Sequence, residues 1–231
     1  SRFRGADPNV INTFVNVLNA AVFDLPITYR CPKRVVFEAQ KIVPTYTCMP
    51  NAIDGEIINI LEDQLINTIK PGDFLLSRTN APLIKWCMTF LKNKIPANIQ
   101  GRDVGENLAW FVKKSKKKTI SSLIKYIEKW KQEQFDKFKD TKKDLSGYED
   151  KAECLLNLCE GAKDVEDLLK NIKKLFQDVD DSKKIILSTS HRSKGLEKDN
   201  VFLLKSTYRY SVGMDNEVND GSNDEKNILY V

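Results

Sequence analysis

One segment of the sequence concentrates residue types that bind phosphate. Residues 186–197 read Ile-Leu-Ser-Thr-Ser-His-Arg-Ser-Lys-Gly-Leu-Glu. The apolar start predicts a β-strand, and the polar remainder predicts a loop at its carboxyl end. Backbone N–H groups, hydroxyls and cationic side chains of such a loop can bind phosphate oxygens, and Gly195 permits close approach of the backbone. The segment indicates a phosphate or nucleic-acid site, although an ordinary polar loop would have the same composition.

The elements around this loop predict a parallel β-sheet. Apolar stretches bounded by turn residues predict strands over residues 21–28, 57–61, 74–77, 97–100, 184–190 and 200–204. Helical spacing predicts helices after Asp7-Pro8, after Pro32, and over residues 62–69 and 81–92. Because strands and helices alternate, we expect an α/β fold in which helices flank a parallel sheet. Tyr29 and Arg30 would lie at the exit of the first strand.

A long stretch between two of these strands is wholly helical in pattern. We interpret residues 103–182 as an all-helical insertion. Asp164 is a predicted N-cap, and the helix after it has one apolar face. An earlier apolar stripe consists of Ile120, Leu123, Ile124, Ile127 and Trp130. The three tryptophans occupy apolar helical positions, which predicts that they belong to the core: Trp86, Trp110 and Trp130.

Composition excludes several classes of protein. The chain has 231 residues, of which 41% are hydrophobic and 30% charged, so it can form a packed core. Apolar runs of the roughly 18–20 residues that span a bilayer are absent, and the start does not resemble a signal peptide. We therefore expect a cytoplasmic protein without membrane contact. Five scattered cysteines and one histidine do not provide the close ligand pairs of a zinc site, which predicts reduced thiols and no bound metal.

Positive charge is concentrated in one stretch. The formal net charge is +5, and residues 113–143 hold twelve lysines against four acidic residues, so the remainder sums to −3. Such a stretch can be a phosphate-binding face, or it can be the solvated face of helices in a lysine-rich chain. Five of the lysines cluster at a predicted loop-to-helix junction: Lys113, Lys114, Lys116, Lys117 and Lys118.

The loop at residues 191–197, HRSKGLE, resembles motif V of the UvrD/Rep-type superfamily 1 helicases, usually written HxAKGLE, with Ser193 at the alanine position. Four further stretches resemble motifs of this family, in the family's order. RFRGADP at 2–8 is similar to the tail of motif III, TYRCP at 28–32 to motif IV, SRTNA at 77–81 to a DNA-contacting segment, and DEKNILYV at 224–231 to the front half of motif VI. The resemblance implies a RecA-like fold, with the reduced insertion of phage and virus-like members.

The resemblance also implies how the chain would meet ATP, which this family binds between two RecA-like domains. Tyr29 would stack on the adenine ring. Arg30 would be the catalytic residue, because its guanidinium would reach the γ-phosphate and stabilise the charge that develops in the transition state. Glu197 would hydrogen-bond the ribose, and the backbone of Gly195 would lie near the γ-phosphate.

On the nucleic-acid side, the resemblance implies contacts with single-stranded DNA and with a duplex junction. Phe3 would stack on a base, which tolerates every sequence and suits a protein that walks along DNA. The expected contacts are Phe3, Arg4, Arg78, Asn80, Thr189 and His191.

The resemblance therefore implies the second motor domain of an ATP-dependent 3′-to-5′ DNA helicase. Residues 1–102 and 183–231 would form the RecA-like domain, starting in motif III at 1–8 and truncated within motif VI. The phosphate-loop pattern GxxxxGK[ST] and an acidic motif II are absent from the sequence. ATP and Mg²⁺ are the expected cofactors, with the Mg²⁺ ligands on the first motor domain of the same parent chain. Alone, this chain is expected not to hydrolyse ATP.

Alternatives remain open for the single residues and for the whole chain. Tyr29 could cap the sheet edge, Arg30 could pair with a carboxylate, Phe3 could pack on its own helix, and His191 could be structural. For the whole chain, the alternative is a non-catalytic nucleic-acid-binding module of RecA-like fold. A protein-interaction scaffold built on the helical block is a third hypothesis.

Overall fold

The computed structural model describes residues 10–139, 141, 144–178 and 182–208. These residues belong to two compact units, one comprising residues 10–61 and the other residues 62–208. The predicted motif III and motif VI stretches, and the Asp7-Pro8 helix cap, lie outside the described residues. The predicted domain boundaries, after residues 102 and 182, stay predictions.

The first unit is a small strand–helix–strand arrangement. It contains α1 (Val10–Leu18), β1 (Ile27–Thr28), α2 (Lys33–Gln40) and β2 (Thr47–Cys48), and β1 pairs with β2 in parallel. The predicted strand over 21–28 is wrong except for its last two residues, because backbone pairing starts only at Pro26, whose carbonyl accepts from the Thr47 N–H at 2.7 Å. The predicted strand over 57–61 is also wrong. Residues 57–61 form no strand in the described part of the chain, and their apolar side chains are exposed, Ile58 by 71%.

A four-stranded parallel sheet lies at the centre of the second unit. The short helix α3 (Leu65–Thr68) leads into β3 (Phe74–Ser77), which is followed by α4 (Asn80–Lys92) and β4 (Ala97–Ile99). After the helical segment come β5 (Ile185–Thr189) and β6 (Val201–Leu203). The strand order is β4-β5-β3-β6, and every pairing is parallel. The predicted α/β class, a parallel sheet flanked by helices, is confirmed and is consistent with a RecA-like fold.

The segment between β4 and β5 is all-helical, as predicted. It consists of α5 (Arg102–Ser115), α6 (Ile120–Phe138), α7 (Ser146–Glu160) and α8 (Val165–Leu175). Asp164 caps α8, with its Oδ1 accepting from the Asp167 N–H at 2.8 Å. No helix in the described part of the chain is long and apolar enough to cross a membrane.

The sheet and the helical segment share one hydrophobic core. Leu75 and Ile99 of the sheet belong to the same buried cluster as Leu123, Leu155 and Leu168 of the helices. Burial of this apolar surface is the main favourable contribution to folding. The helical segment is therefore part of the body of the second unit.

The prediction for the tryptophans is correct for two of them. Trp86 and Trp130 are partly buried and pack against the core. Trp110 is 58% exposed, so the prediction that it is a core residue is wrong. The inward face of α5 is formed by Leu108, Phe111 and Val112 at helical spacing, which leaves position 110 on the outer side.

Two carboxylates from the helical segment cap the helices that follow the sheet strands. The first residues of α4 have no cap from Thr79; the carboxylate of Asp150 on α7 accepts instead from the backbone N–H groups of Asn80 and Ala81 at 3.1 and 2.8 Å. At the start of α5, Asp178 accepts from the Gly101 N–H at 2.7 Å. These bonds satisfy donors that a helix start otherwise leaves unpaired.

We predict that Asp150→Ala destabilises the second unit by about 1–2 kcal/mol, because the helix start of α4 loses its acceptors. Urea denaturation followed by tryptophan fluorescence measures this, since all three tryptophans lie in residues 62–208. Glu153→Ala is the matched control, because Glu153 is exposed on the same helix. Equal unfolding midpoints for the two variants would contradict the capping role.

Candidate functional site

The carboxyl edge of the sheet brings together three segments that are distant in sequence. The Ser77 carbonyl, at the end of β3, accepts from the Ser190 N–H at 3.0 Å. The backbone N–H of Arg78 donates to Thr207 Oγ1, after β6, at 3.0 Å. The predicted DNA-contacting segment at 77–81 therefore lies beside the loop at 190–197. In parallel sheets, ligands bind at this edge.

Arg78 and His191 meet at this edge. The guanidinium Nη1 of Arg78 lies 3.5 Å from Nδ1 of His191, at the outer limit of a hydrogen bond, and both residues are half-buried. Arginine can only donate, so a neutral imidazole would accept through Nδ1 and carry its proton on Nε2. The structure thus places two of the predicted nucleic-acid residues side by side, and both offer hydrogen-bond donors.

Asn80 and Thr189 hold the edge together. The side-chain amide of Asn80 donates to Asp150 Oδ2 at 3.0 Å, in addition to its backbone bond. The carbonyl of Thr189 accepts from the backbone N–H groups of Arg192 and Ser193, each at 2.9 Å, which turns the chain directly after β5. Both residues stabilise the geometry in which Arg78 and His191 meet, and their predicted contact with nucleic acid stays a prediction.

The loop after β5 is anchored at its start and exposed at its end. Ser190 and Tyr208 are both buried, and their hydroxyls hydrogen-bond to each other. Gly195 has a φ of +88°, and a Cβ there would meet open space. The backbone conformation, rather than packing, therefore requires glycine at position 195. Gly195 and Glu197 are exposed, and their predicted contacts with ATP stay predictions.

An ion pair joins this loop to the first helix of the insertion. The Nη2 atom of Arg192 lies 2.6 and 2.8 Å from the two carboxylate oxygens of Asp103. Partial desolvation acts to raise the pKa of Asp103, but the hydrogen bond and the charge of Arg192 outweigh it, so this pKa lies below its ordinary value. Gly101 has a φ of +130° and lies close to this ion pair. A Cβ atom at position 101 would be 3.4 Å from Arg192 Nε.

In the first unit, Tyr29 and Arg30 follow directly on β1, as predicted. The Thr28 hydroxyl accepts from the backbone N–H groups of Arg30 and Cys31 at 3.3 and 3.4 Å, which fixes the bend before α2. Tyr29 is 79% exposed, so its ring does not cap the sheet edge. The exposed ring and the exposed Arg30 suit contact with a ligand. Phe3 and Arg4 lie outside the described residues.

Thiol chemistry is unfavourable at the buried cysteines. All five cysteines are free, and burial raises the pKa of the Cys87 thiol to about 12 and that of Cys159 to about 11. Burial, together with the nearby carboxylate of Asp150, also raises the pKa of Cys154. A neutral thiol is a poor nucleophile and a poor metal ligand. Within the described ranges, no group of three or more His, Cys, Asp and Glu side chains could hold a metal ion.

Three contributors to the site carry no local sequence signal. Asp150 acts on a helix start 70 residues earlier in the chain, Asp178 on one 77 residues earlier, and Asp103 pairs with Arg192 across 89 residues. Isolated acidic residues in charged helices are ordinary, so only the tertiary fold reveals these roles. The tight hydroxyl contact of Ser190 with Tyr208 is likewise invisible in the sequence.

We predict that Asp103 and Arg192 are energetically coupled by about 0.5–1 kcal/mol at pH 7, as expected for a partly exposed ion pair. A double-mutant cycle of Asp103→Asn and Arg192→Gln, measured by urea denaturation, gives this coupling. Because the pKa of Asp103 is lowered in the folded state, the coupling is complete above the ordinary aspartate pKa of about 3.9 and is lost as the pH falls through the folded value. Coupling that is absent at pH 7, or that grows on acidification, would contradict the assignment.

No model of a protein family matches the chain, and no curated protein matches it. The likeness to superfamily 1 helicases therefore rests on the short motifs quoted above and on the position of two of them at the sheet edge.

Proposed function

We propose that this chain acts as the second motor domain of an ATP-dependent DNA helicase or translocase, with 3′-to-5′ polarity. It would supply one half of the ATP cleft and part of the track for single-stranded DNA. The first motor domain of the same parent chain would supply the phosphate loop and the Mg²⁺ ligands. The proposal places the protein in the cytoplasm, in a host cell if the parent is viral or from a phage.

The meeting of Arg78 and His191 at the carboxyl edge of the sheet carries the proposal. These residues come from two segments that resemble different helicase motifs and lie 113 positions apart in sequence. A chance likeness in one short motif would not require the other to lie beside it. Their donor groups face the same edge as the polar loop, where a phosphate backbone would be bound.

The ATP half of the proposal rests on Tyr29 and Arg30. An exposed aromatic ring next to an arginine, both at the end of a strand, can stack on a base and reach a phosphate. The exposed Gly195 and Glu197 fit the same role less directly, through a backbone N–H group and a carboxylate acceptor. Arg30 would stabilise charge on the γ-phosphate during hydrolysis.

The alternative is a nucleic-acid-binding module that has lost the motor. Both hypotheses predict binding of DNA through Arg78 and His191. The two hypotheses differ in the role of Arg30, which is needed only if the protein hydrolyses ATP.

We predict that Arg78→Gln and His191→Asn each weaken binding of single-stranded DNA by the 231-residue chain about 5- to 100-fold, through loss of a phosphate or base contact. Fluorescence anisotropy with a labelled oligonucleotide measures the affinity. Arg78→Gln should also lower the slope of log affinity against log salt by about 0.7.

The charge-matched control for this experiment is Lys173→Gln, because Lys173 is exposed on α8. It should leave both the affinity and the slope unchanged. If the Arg78 and His191 variants bind like this control, the sheet edge is not a nucleic-acid site.

In a parent chain that carries both motor domains, we predict that Arg30→Ala lowers ATP turnover by about 10³-fold or more, as for other arginines that stabilise a transferring phosphoryl group. Steady-state ATPase assays measure this, with circular dichroism as the control for folding. Arg34→Ala is the matched variant, since Arg34 is exposed one turn later on α2 and should retain full turnover. Normal turnover in Arg30→Ala would leave the arginine with a structural role, and a parent without any ATPase activity would favour the binding module.

A further inference from the structure

The turn between α5 and α6 carries the densest positive charge in the described residues. Its five lysines, named above, lie within six positions, and all are exposed. In the described part of the chain no carboxylate forms an ion pair with any of them, whereas Lys129, Lys131 and Lys170 in the same helical segment are paired with glutamates. Like charges held this close repel each other, and a polyanion would relieve that repulsion.

The lysines project from a well-defined backbone. Lys116 ends α5 in the left-handed conformation, with a φ of +55°. The buried Ser115 hydroxyl donates to the Val112 carbonyl at 2.6 Å and accepts from the Lys117 N–H at 3.2 Å. Thr119 then caps α6 by accepting from the Ser122 N–H. A ligand would therefore meet cations whose backbone positions are fixed beforehand, which lowers the entropic cost of binding.

An exposed tryptophan lies beside these cations. Trp110 is one turn before Lys113 and Lys114 on α5, and the Nζ atom of Lys114 lies 4.6 Å from the centroid of its indole ring. Trp110 is 58% exposed, so its large aromatic ring is accessible to a ligand. The pairing of an exposed ring with adjacent cations is the pattern by which proteins hold unpaired bases and their phosphates.

We propose that Trp110 and the five lysines of this turn form a second nucleic-acid contact, which binds single-stranded DNA by stacking one base on the indole while the lysines neutralise the adjacent phosphates. The contact lies on the helical insertion and uses none of the residues assigned to the sheet edge. It goes beyond the proposed motor function, because it needs neither ATP nor a partner domain.

Single-stranded DNA fits this surface better than a duplex. A duplex offers phosphates but no unstacked base. It would therefore contact the lysines without stacking a base on the indole. The two ligands consequently predict different results for Trp110 variants, and this difference forms the basis of the test.

The experiment measures the affinity of the 231-residue chain for a labelled thymidine oligonucleotide and for a blunt duplex, over a salt series from about 50 to 300 mM. One variant replaces the five lysines with glutamine. Another is Trp110→Leu, which changes an exposed position and is expected to keep the fold. Circular dichroism checks both.

Each variant has a matched control. The lysine control replaces five dispersed exposed lysines with glutamine and so makes the same change in charge: Lys85, Lys92, Lys94, Lys173 and Lys174. The aromatic control is Phe37→Leu, because Phe37 is also exposed, by 66%, and also has a lysine, Lys41, over its ring.

We predict that the five-lysine variant loses about 2 to 3.5 in the slope of log affinity against log salt, for three to five lost phosphate contacts at roughly 0.7 each. Trp110→Leu should weaken single-strand binding about 5- to 150-fold with the slope unchanged, and should affect duplex binding much less. The control variants should behave like the unmodified chain.

The proposal is overturned if the five-lysine variant matches its dispersed control, or if Trp110→Leu matches Phe37→Leu on the single strand. It is also overturned if Trp110→Leu weakens duplex binding equally. These outcomes are distinct from failure of the motor proposal, which depends on the Arg78, His191 and Arg30 variants. If DNA affinity falls in those variants but not in the turn variants, the sheet edge binds DNA and the proposed contact at the turn is excluded.

Discussion

The candidate site depends on a carboxylate that the helical segment supplies. Asp150 accepts hydrogen bonds from the first backbone N–H groups of α4 and from the side chain of Asn80, so it fixes the backbone two residues after Arg78. Without an acceptor, buried N–H groups at this helix start would be costly, and the strand exit would have to rearrange. The relative position of Arg78 and His191 therefore depends on a residue of the insertion rather than on the sheet alone.

The same dependence recurs around the rest of the edge. Asp178 closes α5, and Asp103 at the start of that helix holds Arg192 of the loop after β5. Every strand exit that carries a predicted site residue in the second unit is thus tied to the helical segment by at least one charge-assisted hydrogen bond, which is stronger than a neutral one. A ligand that moves the loop would act on α5 through the Arg192 side chain.

How much could be predicted from the sequence follows from the range of each interaction. The strand before HRSKGLE, the helices of the insertion and the Asp164 cap depend on residues a few positions apart, and the sequence predicts them correctly. The strand over 57–61 fails because a short apolar run does not make a strand unless tertiary packing buries it, and these side chains are exposed. Trp110 fails because an apolar residue type does not reveal which side of a helix faces the core. Asp150 and Asp103 could not be predicted, since their partners are fixed only by the tertiary fold.

The continuous core of the second unit limits how this chain can be shortened or recombined. Removing residues 103–182 would expose Leu75 and Ile99 of the sheet to water. It would also remove the carboxylates of Asp150 and Asp178 and leave the start of α4 without its acceptor. Such a shortened chain would be expected to aggregate, and a helical segment taken from another protein would have to bring both carboxylates at the same positions. The insertion and the sheet have therefore to be inherited, or redesigned, together.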